Sequence, residues 1–234
     1  MNLYDISNLQ LAYAFIPTLL ALIIFYRWTA GLGNASYAVG RMLLQLLLIG
    51  YALAYIFETE HPLVVLGVLT VMLSAAAWIS LNSIGKQRKD WLVKAALAIG
   101  VVGIAVLILV TQAVVAVEPW YAPNYVIPLA GMIFANTMNA VSLAAERFMS
   151  EREDGLAYED ARRRAFKAAM IPVVNSLFAV GLVSLPGMMT GQILSGVSPL
   201  IAARYQIVVM SMLFGAAGLS TAWFLAMLRP KTAA

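Results

Sequence analysis

Cysteine is absent from all 234 residues, so the chain can form neither a disulfide nor a thiolate site, and cysteine usage assigns no redox compartment. A single histidine, His61, cannot make a histidine cluster. Charged residues make up only 11% of the chain and hydrophobic ones 62%, whereas an ordinary soluble domain carries roughly 25% charge. Water is not the main solvent of this protein. Several catalytic signatures are missing as well. No Gly-rich loop ends in Gly-Lys-Ser/Thr, so the chain does not hold ATP through a P-loop. No His-Glu pair has zinc spacing, and no Gly-x-Ser-x-Gly elbow is present. The expected role is therefore not enzymatic. No cofactor bound by this chain and no nucleic-acid partner is expected.

The charges that are present are ordered along the chain. Between them lie uncharged runs from Ile6 to Tyr26, Met42 to Phe57, Pro62 to Gly85, Ala95 to Val117, Pro119 to Ala145, Ala168 to Ala203 and Tyr205 to Leu228. Crossing a hydrocarbon core of about 30 Å takes about 20 helical residues, so each run supplies one span. The second is lengthened backwards through Arg41 to Ala35, which puts Arg41 about two turns inside the helix with its stem free to reach the interface. Long unbroken apolar runs exclude a barrel. The expected fold is all-α: a polytopic integral membrane protein of about seven transmembrane helices, forming one transmembrane domain over residues 1–234.

Cytoplasmic loops accumulate Lys and Arg. With the N-terminus outside and the C-terminus cytoplasmic, every basic residue except Arg204 falls on the cytoplasmic side. No Lys or Arg precedes the first apolar run, so that segment is expected to remain as helix one rather than act as a cleaved signal.

Two stretches depart from plain helix. The run from Ala168 to Ala203, 36 residues long, is too long for one span and too short for two. It contains Ser184, Pro186 and Gly187, and a helix broken at Pro-Gly is expected, because proline removes a donor and glycine tolerates unusual dihedrals. The second stretch, 146–167, is rich in both charge signs and reads as a solvated cytoplasmic helical hairpin. Either it sets topology or it docks a cytoplasmic partner, and its size favours docking. Its candidate contacts are Glu151, Arg152, Glu159, Asp160, Arg162, Arg163 and Arg164.

No Asp or Glu lies inside a span. Hard cations usually take carboxylates, and proton-coupled carriers use buried Asp, Glu or His, so secondary proton-coupled transport is disfavoured. Pathway chemistry falls to neutral groups and sulfur. Met132, Asn136 and Asn139 follow i, i+4, i+7 spacing on one helical face. Asn175 sits near the cytoplasmic end of the broken span, Met188 and Met189 follow the Pro-Gly, and Gln45 lies one turn beyond Arg41. Carboxamides in lipid seek partners, so these faces point to other helices or to a pathway. Thioether sulfur suits soft cations.

At these residues the chain resembles a known family. VIPLAGMI from Val126 to Ile133 with Asn136 and Asn139, GLVSLPGMMTG from Gly181 to Gly191, and Val39-Gly40-Arg41 with Gln45 are similar to segments of the FetB-like permeases. The resemblance implies the membrane-spanning permease of an ABC transporter in the bacterial plasma (inner) membrane. It further implies a permease homodimer working with a separate cytoplasmic ABC ATPase, which would carry the ATP and Mg, and a coupling element within 146–167. Export of iron or another metal ion is the implied activity. Plant relatives are linked to aluminium tolerance and in one case to nucleotide-sugar transport, so a non-metal cargo, or a non-transporting membrane subunit, is the alternative. The family usually has Asp where this chain has Asn175, a change that removes one acidic group from the membrane interior.

Overall fold

The computed structural model describes residues 7–29, 33–58 and 61–230. They form two compact units divided after Glu58, and each is built from helices.

The N-terminal unit opens with α1 (Asn8–Tyr13), started by a capping box in which Ser7 Oγ accepts from the Gln10 backbone N–H and the Ser7 N–H donates to Gln10 Oε1 at 2.9 Å. Pro17 has no N–H for the Tyr13 carbonyl, and the helix is interrupted at Ala14–Phe15 before resuming as α2 (Ile16–Thr29). α3 (Gly33–Phe57) packs against α2 and contains Arg41 two turns inside its start, as the sequence implied. Most of its leucines, including Leu46 and Leu47, are exposed, which suits a lipid-facing surface.

The C-terminal unit contains α4 (Pro62–Ser80), α5 (Arg88–Ile108), α6 (Pro123–Glu153), α7 (Tyr158–Ala179), α8 (Gly187–Leu194) and α9 (Pro199–Met227). Proline occupies the first turn of α4, α6 and α9, where its missing N–H costs nothing. α5 continues as a wider π turn over Leu109–Val114. α6 is the central element, packed against α4, α5, α7 and α9. Close approach is made possible by small side chains. Ala130, Ala140, Ala144 and Ala145 on α6 are buried, and a Cβ on Gly103 of α5 would lie 2.9 Å from Phe134 Cε1. Lipid provides no hydrophobic drive between helices, so such packing carries their association.

Among the described residues, six helices are long and apolar enough to cross a membrane. The chain is a multi-pass, all-α membrane protein. The sixth of the seven expected spans, 168–203, folds in pieces. The membrane-length part of α7 covers only 168–179, a reverse turn follows, α8 supplies eight residues, and a second turn leads into α9. At about 1.5 Å per residue the two helical pieces measure about 18 and 12 Å.

The break lies earlier than Pro-Gly. α7 ends at Ala179, and the Val183 and Ser184 N–H groups fold back onto the Ala179 carbonyl while Gly181 takes a positive φ of 81°. Pro186 is the cap residue that begins α8, with Gly187 its first helical residue. Proline disfavours helix in the residue before it and suits a helix start, so it launches the second piece rather than cutting the first. Likewise, α9 begins at Pro199, ahead of the expected Tyr205, and takes Arg204 into its second turn.

Candidate functional site

The 146–167 segment is a helical hairpin, with only Asp154–Ala157 between α6 and α7. Its turn is a complete Schellman motif: the Leu156 N–H donates to Glu151 O, the Gly155 N–H donates to Arg152 O, and Gly155 has φ of 84°. Arg152 Nη1 adds a 2.6 Å bond to Leu156 O. The hairpin is less solvated than its composition implied. Glu151 is only 3% exposed, because one carboxylate oxygen meets Arg147 at 2.5 Å and the other meets Arg164, across the hairpin, at 3.1 Å. A buried carboxylate persists where charged donors satisfy it. Glu159–Arg162 and Asp160–Arg163 are pairs on the exposed face of α7, at 2.7 and 3.8 Å, and leave that face charged but weakly bound.

Beneath the turn an aromatic cluster ties four helices together. Trp91 of α5 lies 6.1 Å from Phe148 of α6 and 6.0 Å from Phe224 of α9, while Phe148 lies 5.8 Å from Tyr158 of α7. These separations fit tilted and edge-on ring pairs. Composition alone did not single out this cluster, since its members come from four separate segments.

Further along the same two helices lies a groove of about 440 Å³, lined by Asn136, Asn139 and Ser142 from α6 and by Pro172, Val173 and Ser176 from α7. Asn136 Nδ2 donates to Met132 O at 3.1 Å, and the Ser176 hydroxyl donates to Val173 O at 2.7 Å. One of the two Asn136 amide donors and the single Ser176 hydroxyl donor are thus committed to backbone. The expected Asn136–Asn139 face is therefore present and paired with a polar partner, Ser176, that the sequence reading did not select; its i+4 relation to Pro172 was the available signal. Met132 contributes its carbonyl to Asn136 but does not line the groove. Asn175 is exposed on α7, one residue away from the groove-lining Ser176.

The remaining candidates of the C-terminal unit do not line this groove. Ser184 and Gly187 are exposed at the break, Pro186 and Met188 are half-buried, and Met189 lines a different cavity with Gln206 and Met210. In the N-terminal unit, Arg41 and Gln45 form their own i, i+4 pair. With the Gln45 amide turned to suit both groups, its oxygen accepts from Arg41 Nε and Nη2 at 3.1 and 3.2 Å. No group of three or more His, Cys, Asp or Glu able to hold a metal ion occurs among the described residues.

The family profile described as "Uncharacterised protein family (UPF0014)" matches residues 6–232. UPF0014 membrane protein slr1647 of Synechocystis is 39% identical, over 81% of this chain and 79% of that protein. The Probable iron export permease protein FetB of Escherichia coli is 35% identical, over 94% and 90% respectively. Protein ALUMINUM SENSITIVE 3 of Arabidopsis thaliana is 33% identical, over 90% and 81%. No solved structure matches the chain.

Proposed function

From the premise that this chain belongs to the UPF0014 family of membrane proteins, we propose that it is the permease subunit of an ABC-type exporter whose cargo is iron or another metal ion. A separate ATPase drives it through the α6–α7 hairpin, and two permease copies form the working unit.

One observation carries this reading: the polar groove and the charged hairpin are built on the same two helices. Asn139 and Glu151 are separated by twelve residues of unbroken α6, about 18 Å of rigid helix. The Glu151–Arg164 pair and the Tyr158–Leu225 hydrogen bond fix α7 and α9 to that lever. A push on the hairpin therefore moves the groove walls. The exposed charges of Glu159, Asp160, Arg162 and Arg163 offer the contact for the ATPase, which holds the ATP and Mg. The cargo meets neutral oxygens of Asn136, Asn139 and Ser176, with hydration or the second copy supplying its remaining ligands. The iron named for the E. coli relative fits an oxygen-lined route without carboxylates only if the ion keeps part of its own shell.

The test is reconstitution of the permease with its ATPase in liposomes, followed by a metal-efflux panel that includes Fe²⁺. ATP-dependent efflux, with ATPase activity stimulated by the permease, supports the proposal. Flux that needs no ATP, or ATP hydrolysis that moves none of the metals, refutes it. Repeating the panel with Asn175→Asp asks whether restoring the acidic group broadens the cation response.

A further inference from the structure

A groove of about 300 Å³ lies between α7 and α9 at the hairpin end of both helices. Arg162, Arg163 and Phe166 line it from α7, and Ala222 and Leu225 line it from α9. α7 starts where α9 ends, and the Tyr158–Leu225 hydrogen bond sets their register. Ala222, one turn before Leu225, therefore lies near the level of Arg162. Its side chain is small and exposed, which leaves the groove open. Phe166 is exposed one turn deeper than Arg162 on the same face of α7.

The level of these residues in the membrane selects the ligand. The uncharged part of α7 begins at Ala168, six residues after Arg162 and five after Arg163. These separations are about 9 and 8 Å along the helix. A headgroup layer adds about 5–8 Å to each face of the hydrocarbon core, and arginine stems are long enough to bring both guanidiniums into it. Phe166 stands only about 3 Å from the apolar stretch. The groove thus sets positive charge among headgroups and apolar surface at the start of the acyl chains.

The guanidiniums have donors to spare. Glu159 takes one nitrogen of Arg162 at 2.7 Å, and Asp160 lies 3.8 Å from one nitrogen of Arg163, whereas a guanidinium carries five N–H groups. Arg162 is also held over the Tyr158 ring, 5.7 Å from its centre. Lys167, exposed one turn beyond Arg163 on the same face, makes the cations here outnumber the two carboxylates. A phospholipid of net negative charge matches this order along its own length. Its phosphate meets the guanidiniums while an acyl chain lies against Phe166 and Ala222. A soluble anion has no use for the apolar floor, and a zwitterionic lipid brings an ammonium into an excess of positive charge.

We infer that this groove is a site for an anionic phospholipid, with Arg162 and Arg163 as the donors to its phosphate. It shares these arginines with the ATPase contact proposed above, but its test uses the permease alone, so either reading can fail without the other.

The test is native mass spectrometry of the full chain, without an ATPase, purified from vesicles of phosphatidylglycerol, phosphatidylethanolamine and phosphatidylcholine in equal parts with identical acyl chains. Of the three, only phosphatidylglycerol carries a net negative charge at neutral pH. Wild type is expected to retain it over the other two by about tenfold, between the worth of one and of two basic residues near an anionic lipid surface. Arg162→Gln with Arg163→Gln should lose most of that preference. Ala222→Trp, which fills the groove, should bring phosphatidylglycerol down to the level of the other two. Equal retention of the three by wild type, retention of none, or a preference that survives the double glutamine variant overturns the assignment. A preference that survives Ala222→Trp belongs to general surface attraction rather than to the groove, and overturns it too. Loss of the lipid on adding inorganic phosphate at constant ionic strength would give the site to a soluble anion and also overturn it. If Ala222→Trp does not fold, Ala222→Leu, which partly fills the groove, takes its place with the same two outcomes.

Discussion

The phenol of Tyr158, at the first residue of α7, donates a 2.8 Å hydrogen bond to the carbonyl oxygen of Leu225 in the last turn of α9. Carbonyls there lack a full set of intrahelical donors, so the bond both satisfies the end of one helix and fixes the start of another. It ties the hairpin to a helix that crosses the whole unit.

Tyr158→Phe removes that hydroxyl and keeps the ring against Phe148. The expected loss is about 1 kcal/mol of stability, the net worth of one neutral hydrogen bond. Thermal unfolding of the detergent-solubilised protein measures it. If the bond also transmits the ATPase stroke, stimulation of the partner should fall while co-purification persists. Unchanged stability in Tyr158→Phe would reject the structural role, and unchanged stimulation would reject the coupling role.

The Glu151–Arg164 pair makes a second prediction. A double-mutant cycle of Glu151→Gln and Arg164→Ala should give a coupling energy of about 0.5–3 kcal/mol, as for residues sharing a charged network. The same cycle on Glu159 and Arg162 should give under about 1 kcal/mol, because both side chains are about half exposed and screened. Reversing the charge of Arg162 and Arg163 should instead weaken ATPase binding, with little change in unfolding temperature. Equal coupling energies in the two cycles would remove Glu151 from its place as the pin of the hairpin.

Much of this architecture was legible in the sequence because lipid leaves few options. Charge spacing located six continuous spans, and Arg41 fell inside α3 as its stem length allowed. The mixed-charge stretch was readable as a hairpin, and Asn136 and Asn139 as one face. Contacts between distant segments were not legible. Nothing local to Glu151 signals that Arg164 will meet it across the hairpin. The break was legible by composition but misplaced, because Pro186 starts α8 while the chain has already turned at Gly181.

Helix contacts at small residues lead to the third prediction. At Gly103 a Cβ would meet Phe134 Cε1 at 2.9 Å and Ile133 Cγ2 at 3.2 Å, both buried. Gly103→Val should therefore destabilise α5 against α6 by about 1–3 kcal/mol, the usual cost of overpacking. Gly215 of α9 has nothing within 4 Å of its would-be Cβ. Gly215→Ala should be neutral or stabilise by up to about 1 kcal/mol through helix propensity. Thermal unfolding of both variants measures the difference. Matching losses at the two sites would show that backbone freedom, rather than close packing, explains Gly103.

The groove makes the prediction that bears most directly on function. Asn136 and Asn139 line the groove with carboxamides, and leucine has nearly the same reach without their polar atoms. If these carboxamides meet the cargo, Asn136→Leu with Asn139→Leu should cut ATP-dependent efflux by at least about tenfold, since removing one polar partner at a desolvated site costs about 1–3 kcal/mol. ATPase binding should be untouched, because the hairpin lies about 18 Å away along α6. Conversely, charge reversal at Arg162 and Arg163 should abolish stimulation while leaving cargo binding to the isolated permease intact. The two sets of variants therefore separate the groove from its drive. A double leucine variant that still exports at the wild-type rate would move the pathway off this face of α6. The Ser176 side of the groove would then have only a packing role between α6 and α7.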